Sequence, residues 1–341
     1  MSNVSIGASA GPMAIMQMLQ GAQVTGILNA GIELNVFQEL AERPLDAQAT
    51  SERIGCPPRS TRILLDALAV LGLLGKEDGK FRLTPMAMDY LVPGKPMYLG
   101  DLRGIFASQI FWTGLPRLAD AVKKGGSILE MHAETRENPF WEQFAQSSAS
   151  LVFPSAMVID GVLGKWIDSK GRCRVLDIAA GSGIYGFMLA KHPSVELTCL
   201  DWPNVLEKTR EWARRLDVDA KRVRYLPGNL FEVDFGGPYD LIVLSNVYHH
   251  FDPPTCFALT KKVAAALTPG GRVAVNDVVY DPTLGNPGAA MFSVIMLFWT
   301  KKGESFSLAD YTKWLADAGF GKPEVYPSEG TPASWLLAEK K

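Results

Sequence analysis

The sequence predicts an α/β protein: a seven-stranded, mostly parallel sheet with a C-terminal antiparallel hairpin, preceded by an α-helical part that includes a winged helix. Three observations carry this prediction. After residue 170, strand-like apolar runs alternate with helical ones, the pattern of a parallel sheet with crossover helices. The last two strand-like runs, KPEVYP and ASWLLAEK, have no helix between them and should therefore pair antiparallel. Between residues 47 and 84, helix, turn, helix and two short strands follow one another, which is the order of a winged helix.

The elements can be justified in order. The first ten residues are small and polar, and we expect them to be disordered. Across residues 12–42 apolar side chains recur at helical spacing: Ile15, Met16 and Leu19, then Val24, Ile27 and Leu28, then Leu34, Val36, Phe37 and Leu40. Residues 47–54 read as a short helix, 55–58 as a turn and 60–71 as a second helix. LLGKEDGKFRLT then reads as two strands around a turn at 77–79. Residues 98–166 read as helices rich in aromatics, with breaks expected at 114–116, 125–126 and Pro154. The parallel strands are CRVLDIA, VELTCLD, RVRYLPG, YDLIVLSN and GRVAVNDVV. A boundary is expected near residue 105, giving domains at 1–105 and 106–341.

Composition narrows the function classes. Length and an ordinary apolar fraction fit two domains of a soluble chain. The net charge of −2 supplies no basic field for nucleic acid or an anionic membrane. The four cysteines are far apart with no C-x-x-C pair, which suits a reducing cytoplasm better than disulfides or zinc. No signal peptide is evident, and the apolar run at 289–299 is too short to span a bilayer. Residues 1–100 hold eight Lys/Arg against nine Asp/Glu, and the second helix of the winged helix turns acidic at Asp66. A DNA-binding role for that module is therefore the weaker reading.

The stretch VLDIAAGSGIYGFMLA contains Gly181, Gly183 and Gly186 in G-x-G-x-x-G spacing, as in Rossmann-like nucleotide sites. Asp201 closes the next strand, where it can accept from a ribose diol. Up to that point NAD and S-adenosylmethionine (SAM) fit equally, since both carry adenosine. Asp177, at the end of the first strand, separates them. A carboxylate there repels a pyrophosphate and favours the ammonium and sulfonium of SAM. A pair of unit charges ~4 Å apart is worth about 4 kcal/mol at an effective dielectric of 20.

With these residues in view, the chain resembles the family of SAM-dependent small-molecule O-methyltransferases of the plant and bacterial-polyketide type. VLDIAAGSG is similar to that family's DVGGGTG, LDWPNV to DLPHV, and PGNLFE to GDFFE. SNVYHHFDPPTC is similar to LHDWDDEAC, and LTPGGRVAVNDVV to LKPGGRVLIVEMV. MQMLQGAQVTGILNAGIELNVFQEL resembles the family's dimerisation segment, and the likeness runs from about residue 13 to the last residue. The resemblance implies a homodimer formed through the N-terminal domain, with SAM as cofactor and S-adenosylhomocysteine (SAH) as product. Gly181 and Gly183 would cradle the methionine moiety, Asp201 would bind the ribose, Trp202 would pack on adenine, and Asn229 would meet the adenine amino group. Ala179, Gly228, Leu230 and Phe231 complete the expected cofactor contacts, with Ser245 and Asn246 flanking the sulfonium. His249 matches the catalytic histidine and Asp277 the acid that orients it. Ala179 and Ala180 replace family glycines, His250 replaces an aspartate, and Ser245-Asn246 replaces a more usual basic or bulky pair.

A hydroxyl acceptor must lose its proton, and a histidine oriented by a carboxylate can take it as general base. Of the two adjacent histidines, His249 is expected to face the acceptor. A metal role for HHFD is disfavoured, because the histidines are neighbours rather than at i, i+4. The acceptor pocket is expected among Phe111, Trp112, Phe140, Trp141, Phe144, Met157, His250, Phe292, Met296 and Trp299, which suggests a small aromatic or hydrophobic acceptor. A thiol or thioether acceptor, or a carbon one, stays open at this level, as does its identity.

Overall fold

The computed structural model describes residues 11–95, 97–328 and 330–341, so the expected disorder of the first ten residues lies outside the described residues. The chain divides into two compact units, the first ending at Ser108 and the second beginning at Gln109.

In the first unit, helices Pro12–Leu19, Gly21–Glu33 and Val36–Ala41 precede the helix pair Ala47–Arg53 and Pro58–Val70. The Asp46 side chain caps the first of that pair by accepting the Ala49 N–H at 2.8 Å. Pro58 opens the second at a position where a missing N–H costs nothing. Three short strands, β1 (Leu45–Asp46), β2 (Leu74–Glu77) and β3 (Lys80–Leu83), pair antiparallel in the order β1-β3-β2. Phe37, Leu65, Leu68 and Phe81 are its buried centre. This is the winged helix expected from the sequence, with β1 added at the edge of the wing.

The second unit is built on β4 (Cys173–Ile178), β5 (Val195–Asp201), β6 (Val223–Pro227), β7 (Tyr239–Ser245), β8 (Leu267–Asp277), β9 (Glu324–Pro327) and β10 (Ser334–Glu339). Their order is β6-β5-β4-β7-β8-β10-β9, parallel except that β10 runs antiparallel to both β8 and β9. The chain runs outward from β4 to β6 and then returns to the other side of β4, so the switch point lies between β4 and β7. Successive strand residues enter opposite cores. Val175 and Trp335 join one core with Ile159, Leu163, Phe187 and Leu197, whereas Leu176 and Leu336 join the other with Ile242, Val263, Phe306 and Trp314. Both faces are covered, which is why these strands read as continuous apolar runs.

One expected break is absent. Helix Ala149–Asp168 runs through Pro154 for 20 residues. Pro154 sits near its start, so the ring removes a single early ladder bond, and burial of Val152, Ala156, Ile159, Leu163 and Ile167 outweighs that loss. This helix is long and apolar enough to cross a membrane by length and composition, but that apolar face is packed into the core. The breaks at 114–116 and 125–126 fall where Gln109–Gly114 passes into a 3-10 turn and where Leu118–Lys124 ends on left-handed Gly125.

Candidate active site

Four central strands end in polar residues on the same edge of the sheet: Asp201 on β5, Asp177 one residue before the end of β4, Ser245 on β7 and Asp277 on β8. The glycine loop follows β4. Ala179, Gly181 and Gly183 all have left-handed φ values (56°, 55° and 78°) and carry the chain into helix Ile184–Leu189. A Cβ on Gly183 would lie 2.4 Å from the Phe187 ring, and one on Gly186 would lie 2.9 Å from Asp177 Oδ2. The third glycine is thus what lets the helix approach the carboxylate.

Asp177 is fully buried. Its Oδ2 accepts the Gly186 N–H at 3.1 Å, and its Oδ1 has no hydrogen-bond partner. Burial pushes its carboxyl up to about 7, against the pull of the Gly186 N–H and with a further push from Asp201. Asp201 accepts the Gly181 N–H at 2.8 Å and the Trp202 N–H at 2.7 Å, and burial raises its carboxyl to about 6 despite both bonds. Each of its oxygens keeps a lone pair for a further donor. Gly228 N–H donates to the Asp201 carbonyl at 2.9 Å, which joins the turn after β6 to this corner. Within that turn the Asn229 side-chain oxygen accepts the Phe231 N–H at 3.0 Å, and Phe231 packs edge-on against Phe251 at 5.0 Å. Trp202 stands on the same corner, with the Arg136 guanidinium 5.9 Å from its ring.

On the other side of β4, Ser245 Oγ is buried and unpartnered. Asn246 adopts a left-handed conformation (φ 58°), and its N–H donates to the Asn276 carbonyl at 2.8 Å. A buried polar network that sequence reasoning missed begins here. Asn276 donates to the Tyr185 hydroxyl at 2.8 Å and accepts from Ser155 at 3.3 Å, while Ser155 and Ser328 share a bond at 2.9 Å. These residues come from four separate segments, so no spacing pattern announced them; the one available signal was a tyrosine directly inside the glycine motif.

His249 is 3% exposed, and its Nδ1 lies 2.5 Å from Asp277 Oδ1, which also accepts the Val278 N–H at 2.8 Å. The Tyr311 hydroxyl is buried against the Asp277 carboxylate, with which it interacts. Burial first, then the Asp277 carboxylate, pushes the Tyr311 phenol well above the usual range. The rings of His249 and His250 lie 4.4 Å apart, so the two histidines stay side by side and do not diverge. His250 is held well below the ordinary histidine range by burial and then by His249.

The expected pocket residues divide. Phe140, Trp141, Phe144 and Trp299 form one aromatic cluster, which meets His250 edge-on through Trp141 at 5.3 Å and Trp299 at 6.1 Å. Phe292 packs edge-on against His249 at 4.7 Å. Met296 is buried on the same helix as Phe292 and Trp299, and Phe111 packs against Phe298 at 5.9 Å. Trp112 is 42% exposed and Met157 66%, because helical spacing alone does not say which face is buried. Among the described residues no group of three or more His, Cys, Asp or Glu could hold a metal ion.

This donor set fits a cationic, adenosine-bearing molecule. The glycine turn lets a ligand approach the backbone, Asp201 can accept from a diol, and the buried unpartnered Asp177 Oδ1 calls for a positive or donating group. A family model of the O-methyltransferase domain matches residues 117–321, and one of the O-methyltransferase dimerisation domain matches residues 16–93. Acetylserotonin O-methyltransferase of Mus musculus is 30% identical, over 95% of this chain and 88% of that protein. 3-Hydroxy-5-methyl-1-naphthoate 3-O-methyltransferase of Streptomyces sahachiroi is 29% identical, over 97% and 95%. A solved structure from Nostoc punctiforme, itself provisionally assigned as an O-methyltransferase, superimposes with a TM-score of 0.91 at 31% identity, covering 97% of this chain and 100% of its own. Fold, site and relatives agree: the chain belongs to the O-methyltransferase family, whose enzymes depend on SAM.

Proposed function

We propose that this protein methylates a hydroxyl oxygen of a small, flat, largely apolar molecule, with His249 as general base and Asp277 as the residue that orients it. The observation that carries the reading is the 2.5 Å contact between His249 Nδ1 and Asp277 Oδ1, buried beside a wall of aromatic rings. With a carboxylate on Nδ1, the imidazole keeps its proton there and leaves a lone pair on Nε2. Nε2 then takes the acceptor's proton as the new bond forms, and Asp277 stabilises the resulting imidazolium. SAM supplies the electrophilic methyl group. Asp177, Ala179, Gly181, Gly183, Asp201, Trp202, the turn at 228–231, Ser245 and Asn246 would hold it. Phe140, Trp141, Phe144, Phe292, Met296 and Trp299 would line the acceptor side and exclude water. The relatives named for naphthoate and acetylserotonin act on aromatic acceptors, which supports the same acceptor class here.

The N-terminal domain, residues 1–105, would join two copies into a homodimer. Its first helices leave Met13, Ile15 and Leu19 exposed, an apolar surface suited to a second copy. We assign the enzyme to the cytoplasm, in keeping with four free cysteines, and assign it neither a nucleic-acid nor a membrane partner, in keeping with its near-neutral charge.

The test is a screen of metabolite extracts and phenolic compounds with methyl-labelled SAM, run on wild type and His249→Ala. The label should appear on oxygen, and the variant should lose about 10²-fold or more of turnover while binding SAH within about threefold of wild type. Label on sulfur or carbon, or nearly full turnover by the variant, would overturn the assignment.

A further inference from the structure

Residues 228–235 carry four of the expected cofactor contacts, yet they belong to no helix or strand. Asn229 gathers the turn. Its carbonyl accepts the N–H groups of Glu232 and Val233 at 2.9 Å each, and its side-chain oxygen takes Phe231 N–H. A single coil of this kind leaves its later carbonyls without partners inside the turn. Lys262, on helix Pro253–Ala266, supplies them: Nζ donates to the Leu230 carbonyl at 2.8 Å and to the Val233 carbonyl at 2.7 Å. The same ammonium stands 4.3 Å from the centre of the Phe235 ring. One lysine therefore grips the turn at three places spread over six residues. The arrangement also withdraws the ammonium from water, and burial lowers it from the ordinary lysine range. At its opposite end the turn is tied to Asp201 through Gly228. Asn229, Leu230 and Phe231 are thus held from both ends, at Gly228 and by Lys262.

We propose that Lys262 is a positioning residue for the methyl donor: it fixes the turn so that Asn229 to Phe231 stand in register with the adenine ring, without itself touching the ligand. The inference rests on the assignment of that turn to the adenine end of the cofactor. A lysine that merely stabilised the fold would affect every ligand alike, whereas one that positions the adenine reader affects discrimination at the base.

Calorimetry on the full-length protein with SAH and with S-inosylhomocysteine, in which an oxo group replaces the adenine amino group, separates the two. Wild type should prefer SAH. In Lys262→Met the affinity for SAH should fall about five- to tenfold, the scale of one or two lost hydrogen bonds, and the preference should shrink by a similar factor. Lys262→Arg, which can donate to both carbonyls, should keep both within about threefold of wild type. Should Lys262→Met fail to fold, judged by its thermal transition, Lys262→Gln keeps two N–H donors and should give an intermediate preference. A folded variant with unchanged preference, or one that loses both ligands equally, overturns the proposal. Failure of wild type to bind SAH would instead overturn the cofactor reading beneath it.

Discussion

If Asp177 meets the cofactor's positive charge as proposed, its burial should make SAM affinity a function of pH. Its carboxyl is pushed up to about 7, chiefly by burial, so near neutrality the ligand-free protein is a mixture of ionised and protonated forms. A cationic ligand stabilises the ionised form, and affinity should therefore rise with pH through this value and level off above it. The ionised fraction is about nine-tenths at pH 8, half at pH 7 and one-eleventh at pH 6, if the ordinary titration curve holds. Binding should thus weaken about tenfold between pH 8 and pH 6, roughly 1.4 kcal/mol. Below pH 6 the slope should steepen, because Asp201, raised to about 6, begins to take up a proton as well. Calorimetric titration with SAM between pH 5.5 and 7.5 avoids the range where an α-amino group itself deprotonates, near about 8. Asp177→Asn keeps an oxygen for the Gly186 N–H and removes the charge. It should bind SAM at least about tenfold more weakly at pH 7.5, a conservative fraction of the ion-pair energy, and be nearly flat from 6.5 to 7.5. The same raised carboxyl has the opposite effect on the ligand-free fold. Its stabilising contribution is complete below the unfolded value of about 4 and is lost as pH rises through about 7. Wild-type affinity that stays level between pH 6 and 7.5, or an Asn variant that matches wild type, would refute the reasoning.

Two further outcomes follow from features remote from the site. His192 Nδ1 lies 2.7 Å from Asp168 and Nε2 3.1 Å from Asp160, and these carboxylates outweigh burial and raise its pKa. Its contribution is complete below the unfolded value of about 6.5 and is lost as pH rises through the folded one, so the melting-temperature gap between wild type and His192→Gln should be wider at pH 5.5 than at 8.5. An equal gap at both values would contradict this. Serine in place of Met13, Ile15 and Leu19 together should shift the protein from dimer to monomer in light scattering at micromolar concentration, with the melting transition retained. A dimer that survives the triple change places the interface elsewhere.

Much of the fold was legible because its signals are local and redundant. The central parallel strands are dense apolar runs with a polar residue at or next to their ends, and the hairpin followed from the lack of a helix between its strands. Pro154 misled because local propensity was weighed without the buried apolar face of a twenty-residue helix that overrides it. Trp112 and Met157 show the limit of spacing, which marks an apolar face but not what lies against it: both side chains are exposed. The Ser155–Asn276–Tyr185 network was beyond reach altogether. Its partners lie 91 to 121 positions apart, and serine, asparagine and tyrosine in isolation carry no distinctive pattern.

The distribution of unsatisfied groups supports the reading of the site independently of any motif. A buried polar atom left without a hydrogen bond costs about 1–3 kcal/mol, and folded proteins tolerate few of them. Here Asp177 Oδ1 and Ser245 Oγ are two such atoms, on the neighbouring strands β4 and β7, both within a residue of the strand end. A purely structural sheet gains nothing from that pair, and apolar side chains of similar size would stabilise it. The cost is reasonable only where binding or chemistry offsets it. On the function proposed above, Asp177 at the switch point would answer a positive charge, and Asp277 on β8 would hold the imidazole that takes a proton. The strand ends would thus place donor and base on one edge of the sheet. A methyl transfer that depends on alignment rather than on a metal needs both to be held there before the acceptor arrives.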